Sequence, residues 1–166
     1  NNFFIAILNE NLIVNVVYNE NSIKIDKNTV KDIVQNEKIY PTDDEKELKS
    51  EFTPRYLKAY TEIEPKDLKI ELAKKYNETF NFKLYFMSHD EEINQGRTAI
   101  FRSIGMKIED HKVSGKVTAP YTAILIGGPK EDAYLKTLEN KSHTQIGWQS
   151  LRGKQSQNKA KNFINK

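Results

Sequence analysis

Arg97, Arg102 and Lys107 stand close together, with Gly96 and Gly105 among them, in the stretch GRTAIFRSIGMKI at residues 96–108. Positive side chains flanking glycines on or beside strands suit an anion such as a nucleotide phosphate, which a guanidinium grips through paired hydrogen bonds. A plainer role fits as well, a solvent-facing row that keeps an edge strand soluble. The residues leave both readings open. A strand over 98–102 would carry them: alternation by two sends Thr98, Ile100 and Arg102 to one side and Ala99 and Phe101 to the other. Gly105 breaks the run, and Met106, Lys107 and Ile108 resume it.

Other chemistries find less support in the residue types. There is no cysteine, which removes disulfides, thiolate nucleophiles and cysteine metal sites. His89, His111 and His143 lie far apart, and none has a second ligand at helical spacing, so a zinc site would have to be assembled by the fold. The carboxylates Asp43, Asp44, Glu45, Glu47 and Glu51 sit among lysines without a glycine-turned calcium loop and read as a solvated loop or frayed helix. No Gly-x-Ser-x-Gly elbow supports a hydrolytic triad. Gly127-Gly128 lies where a strand would meet a helix, but it lacks the lysine and spaced glycines of a phosphate loop and reads as a simple turn. From residue 141 onward there is no Asp or Glu, while Lys141, Arg152, Lys154, Lys159, Lys161 and Lys166 are positive. With Trp148 as a stacking group, that segment is a candidate nucleic-acid surface.

The elements that must position these residues follow from periodicity. Apolar runs at 3–8 and 12–18, joined by Asn9-Glu10-Asn11, predict an antiparallel hairpin, and 22–25 a short third strand. A helix is expected over 29–35 with Val30, Ile33 and Val34 inward, and another over 66–77 with Leu68, Leu72 and Tyr76 inward behind Pro65. Residues 79–88 alternate Phe80, Phe82, Leu84 and Phe86 against Asn81, Lys83, Tyr85 and Met87. That Phe ladder reads as core sooner than as a base-stacking platform. A strand at 117–126, a helix at 130–139 behind Pro129, and a weak helix or tail at 149–162 complete the chain. Consecutive strands with short links predict an α+β fold, with a mixed, mainly antiparallel sheet and helices on one face. Residues 1–148 form the expected single domain, with a sub-division near 37–54, and 149–166 the basic carboxyl-terminal piece.

Bulk properties agree with a globular chain. There are 166 residues at net charge +3, and the eight Phe and eight Tyr supply core. No apolar run is long enough to cross a bilayer and the start lacks a basic leader, so a cytoplasmic protein without membrane contact is the expectation. The chain opens without Met directly into an apolar run, which suggests a piece of a longer polypeptide.

The pattern from Arg102 through Gly105, Met106 and Lys107 to Ile108, followed by Glu139, Asn140, His143 and Trp148, resembles a segment of large bacterial proteins. Those proteins carry a gyrase, chaperone and mismatch-repair type (GHKL) ATPase module upstream. Phe3-Phe4-x-Ala6-Ile7-Leu8 and Ile25-Asp26 are similar to the start of that segment, while Lys141 stands where the family has proline. The resemblance implies a non-catalytic, transducer-like coupling domain that relays nucleotide state; in such a domain Arg97, Arg102 or Lys107, read above as anion-facing from their residue types, would face nucleotide. It further implies no catalytic residue, cofactor or metal in this stretch, ATP and Mg in the parent protein, and the upstream ATPase module as partner. A nucleic-acid-binding module acting through 141–166 is the alternative, and a stand-alone hydrolase the third.

Overall fold

A computed structural model describes residues 2–35, 53–89, 96–111, 120–141 and 145–165. Among them the order is helix α1 (Phe4–Leu8), strands β1 (Val14–Tyr18) and β2 (Asn21–Ile25), and helices α2 (Val30–Gln35) and α3 (Thr53–Glu62). Strand β3 (Lys66–Glu71), a 3-10 turn (Lys74–Tyr76), and strands β4 (Thr79–Ser88), β5 (Arg97–Phe101), β6 (Lys107–His111) and β7 (Tyr121–Gly127) follow. Helices α4 (Pro129–Leu138) and α5 (Lys154–Ile164) come last. β1 and β2 form a separate two-stranded sheet, and the other strands form a five-stranded sheet in the order β3-β4-β7-β5-β6. Among the described residues only β5 and β7 run parallel, so the sheet is mixed and mainly antiparallel, and the fold is α+β.

The helices cover both faces of the sheet instead of the one face expected. Along β7, Ile124 and Ile126 join a core with Phe4, Ile5, Ile7, Val30, Val34, Tyr56 and Leu57, which brings α1, α2 and α3 to that side. Leu125, between them, joins Phe80, Phe82, Leu135, Leu138, Ala160 and Phe163, which brings α4 and α5 to the other. Neighbours along a strand point to opposite faces, so an unbroken apolar run such as Ala123-Ile124-Leu125-Ile126 needs cover on both. The Phe ladder is split. Phe80 and Phe82 are buried, Phe80 stacking on Tyr134 at 4.6 Å and meeting Phe163 edge-on at 5.2 Å, whereas Phe86 is half exposed against Tyr121.

Two expected elements have another form. Residues 4–8 are helical, not the first strand of a hairpin. Phe4, Ile5, Ala6 and Ile7 are all buried, and a continuous apolar run carries no period with which to tell helix from strand. The hairpin forms one step later, β1 against β2 across Asn19-Glu20, both at positive φ as a tight two-residue loop requires. Residues 66–71 are a strand, not the start of a helix. The spacing of Leu68 and Leu72 suits a helical turn, but it is also an even number, and β3 completes an edge ladder from Lys66↔Leu84 to Glu71↔Thr79. Helix α3, with Pro54 in its first turn and Pro65 beyond its end, was not foreseen. The carboxylate-rich stretch, residues 90–95 and 112–119, and His143 lie outside the described residues.

Candidate functional site

The turn from β5 to β6 holds the motif residues, and its shape follows from Gly105. Arg102 N donates to Met106 O at 2.9 Å, and Gly105 N donates back to Arg102 O at 2.9 Å. Gly105 has φ +87, and a Cβ there would lie 2.4 Å from Ala6 N and 2.7 Å from Ala6 Cα. Glycine is therefore required twice, for the left-handed backbone and for the close approach of α1. Ala6 N donates to Gly105 O at 3.3 Å and Lys107 N to Asn2 O at 2.7 Å, so the turn is seated on the amino-terminal helix.

Its other side is tied to α4. Arg102 Nε donates to Glu139 Oε1 at 2.9 Å, and its Nη2 donates to Glu139 Oε2, a two-pronged pair across the motif's two halves. The Glu139 side chain is 1% exposed and that of Arg102 17%. A carboxylate that deep depends on its partner. Ser103 N donates to both Asp132 oxygens, at 2.9 and 3.0 Å, and Ser103 Oγ also donates to that carboxylate. Beyond α4, Glu139 bridges Ile146, whose N donates to Glu109 Oε2 on β6 at 2.7 Å.

Arg97 and Lys107 lie elsewhere, on the α3 side of the sheet. A bulge between Ile100 and Phe101 of β5 leaves Ile108 of β6 unpaired, so Lys107 pairs with Phe101 while Glu109 pairs with Ile100. The extra residue returns Lys107 and Asp110, three apart, to one face. Lys107 Nζ then donates to Asp110 Oδ2 at 2.7 Å and stands 5.7 Å from the centre of the Tyr56 ring. Tyr56 is fully buried; burial and then the Asp110 charge push its ionisation well above the usual phenol range, while the Arg97 charge acts in the opposite sense. Held neutral, that hydroxyl is a hydrogen-bond donor and a poor base. This is a charged island that fixes α3 over β5 and β6. Among the described residues no group of three or more His, Asp or Glu side chains is placed to hold a metal.

No family model, curated protein or solved structure matches this chain.

The motif positions fall in three places. Arg102, Gly105, Met106 and Glu139 make up the tie. Asn140 extends it, its N donating to Gln145 O at 3.0 Å. Trp148 belongs to the second core, half-buried, with Lys161 Nζ 3.7 Å above its ring. In the basic segment Lys159 pairs with Glu78 at 2.6 Å, and α5 buries Ala160 and Phe163. At the Gly127-Gly128 turn the anion is the protein's own: Glu131, 5% exposed, accepts from Gly128 N at 3.2 Å and Asn81 N at 2.8 Å. Asp132, Glu109, Tyr56 and Asp110 escaped the sequence reading. Only Asp132, an acid in the first turn of a helix, carried a local signal.

Proposed function

We propose that this chain is a non-catalytic coupling domain, transducer-like, of a larger bacterial ATPase of the GHKL type. The reading rests on the resemblance of the Arg102–Ile108 and Glu139–Trp148 segments to that group, and one observation supports it. Arg102 and Glu139, one from each segment, meet in a buried two-pronged ion pair. A motif serving chemistry would aim its charges at a ligand; this one aims them at each other. The pair joins a turn seated on α1 to the end of α4, and so links the layers on the two faces of the sheet. A displacement imposed on one layer is passed to the other through it, as coupling requires. Arg97 and Lys107 lie on the other face of the sheet, where Lys107 is 12% exposed and paired with Asp110 against α3, so the reading rests on the tie and not on either of them.

The test compares the isolated chain with the full polypeptide encoded by its gene. Titrated with Mg-ATP in a calorimeter, the isolated chain gives no binding heat and no turnover. In the full polypeptide, the Arg102→Met/Glu139→Leu double variant keeps its fold and loses the dependence of ATP turnover on the downstream domains. ATP hydrolysis by the isolated chain, or a gene without a nucleotide-binding module upstream, overturns the proposal. Salt-sensitive DNA or RNA binding by the isolated chain would move the assignment to a nucleic-acid module.

A further inference from the structure

The exposed apolar surface is unevenly spread. Eight large hydrophobic side chains are exposed among the described residues, and six of them, Phe3, Ile13, Val16, Val17, Tyr18 and Ile23, lie in the first 23 residues. A seventh, Ile104, has its carbonyl 3.5 Å from Asn11 Nδ2. Clustering of this kind marks an interface, where scattered residues would not. At its centre is the β1–β2 hairpin, anchored in the first core only at its base by Leu12, Val14 and Ile25. Val17 is 73% and Tyr18 74% exposed. A two-stranded sheet is marginal in water by itself, and this one is not extended by a third strand among the described residues.

The two edges of the hairpin differ. β2 carries Lys24, paired with Asp26 at 3.1 Å, and a charge of this kind blunts an edge. β1 has no such guard: from Asn11 to Asn19 the chain reads NLIVNVVYN, without a charge or a proline. The loop of Asn19 and Glu20 makes Tyr18↔Asn21 a hydrogen-bonded pair, so Val16↔Ile23 and Val14↔Ile25 are also bonded inward. The N–H and C=O groups of Asn15 and Val17 then point outward along the free edge.

We propose that a second copy of this chain occupies that edge, its β1 adding antiparallel to the first to give a four-stranded sheet across a two-fold axis. An uncharged edge pairs with itself without like charges opposed, which argues for a second copy over a partner chosen by charge. The outward groups require Asn15 and Val17 to oppose outward residues of the other copy, and the proposal takes the register that pairs these two with each other: Asn15 lies opposite Val17 of the other copy, and Val16 faces its own counterpart on the axis. The inference is independent of the coupling role proposed above.

Sedimentation equilibrium of the chain tests it. A concentration-dependent monomer–dimer equilibrium is expected, and Val17→Pro, which removes an outward N–H and no hairpin bond, weakens it at least about tenfold. Oxidation supplies a second readout that does not depend on that proline being tolerated. The chain has no cysteine, so Val16→Cys cross-links across the axis, while Val17→Cys, displaced from its counterpart by the register, does not. A chain that stays monomeric at its highest soluble concentration overturns the proposal. So does a dimer in which Val16→Cys fails to link, whatever the effect of the proline.

Discussion

The β5–β6 and β1–β2 hairpins are built from similarly short strands, five residues each, yet their tips end differently. The tip of β5–β6 is held on both sides, by α1 through Gly105 and by α4 through Arg102 and Ser103. The tip of β1–β2 is tied to no other element among the described residues, with Val17 and Tyr18 mostly exposed. A tip held on both sides can pass a displacement through the molecule. A free apolar tip can only make contacts outside it. The same contrast appears in the turns, since β5–β6 places a glycine at its left-handed position whereas β1–β2 places Asn19 and Glu20 there. A turn pressed against backbone has no room for a side chain, and an exposed one tolerates Glu20 at a modest cost in strain.

The contrast can be broken most severely at Gly105. Gly105→Ala puts a Cβ against the Ala6 backbone as well as straining φ, and should cost upwards of about 4 kcal/mol in denaturant unfolding, or prevent folding. Arg102→Met takes the two-pronged guanidinium from the buried Glu139 and is expected to cost about 3 kcal/mol by the same measurement. Ser103→Ala removes one hydroxyl bond to Asp132 at an exposed site and should cost about 1 kcal/mol or less. In the other hairpin the sign reverses. Glu20→Gly converts the loop to Asn-Gly and should stabilise by a few tenths to about 1 kcal/mol, read as a rise in Tm. If Glu20→Gly destabilised, or Gly105→Ala were neutral, the two tips would not differ as described.

What the sequence made legible was the part governed by local period. Residues 79–88 alternate cleanly and are β4, and Pro129 opens a helix where a first-turn proline belongs. Periodicity failed where burial is complete or an edge is open to pairing. Phe4, Ile5, Ala6 and Ile7 are buried on all sides, so their pattern carries no phase, and β3 is drawn into a strand by the free edge of β4. The site was legible in its membership and hidden in its wiring. Arg102 and Glu139 were both singled out, but a contact between residues 37 apart leaves no local trace. Neither does the bulge that turns Asp110 onto the face of Lys107, because strand alternation alone would have set the two apart.

The central claim is that Arg102 and Glu139 act as one tie, and a double-mutant cycle on unfolding free energy measures that most directly. With Arg102→Met, Glu139→Leu and the double variant, the account expects the double to be more stable than the two single losses added together imply, by about 2 kcal/mol or more. Additivity within about 0.5 kcal/mol would show two residues that merely lie near each other, and would contradict it.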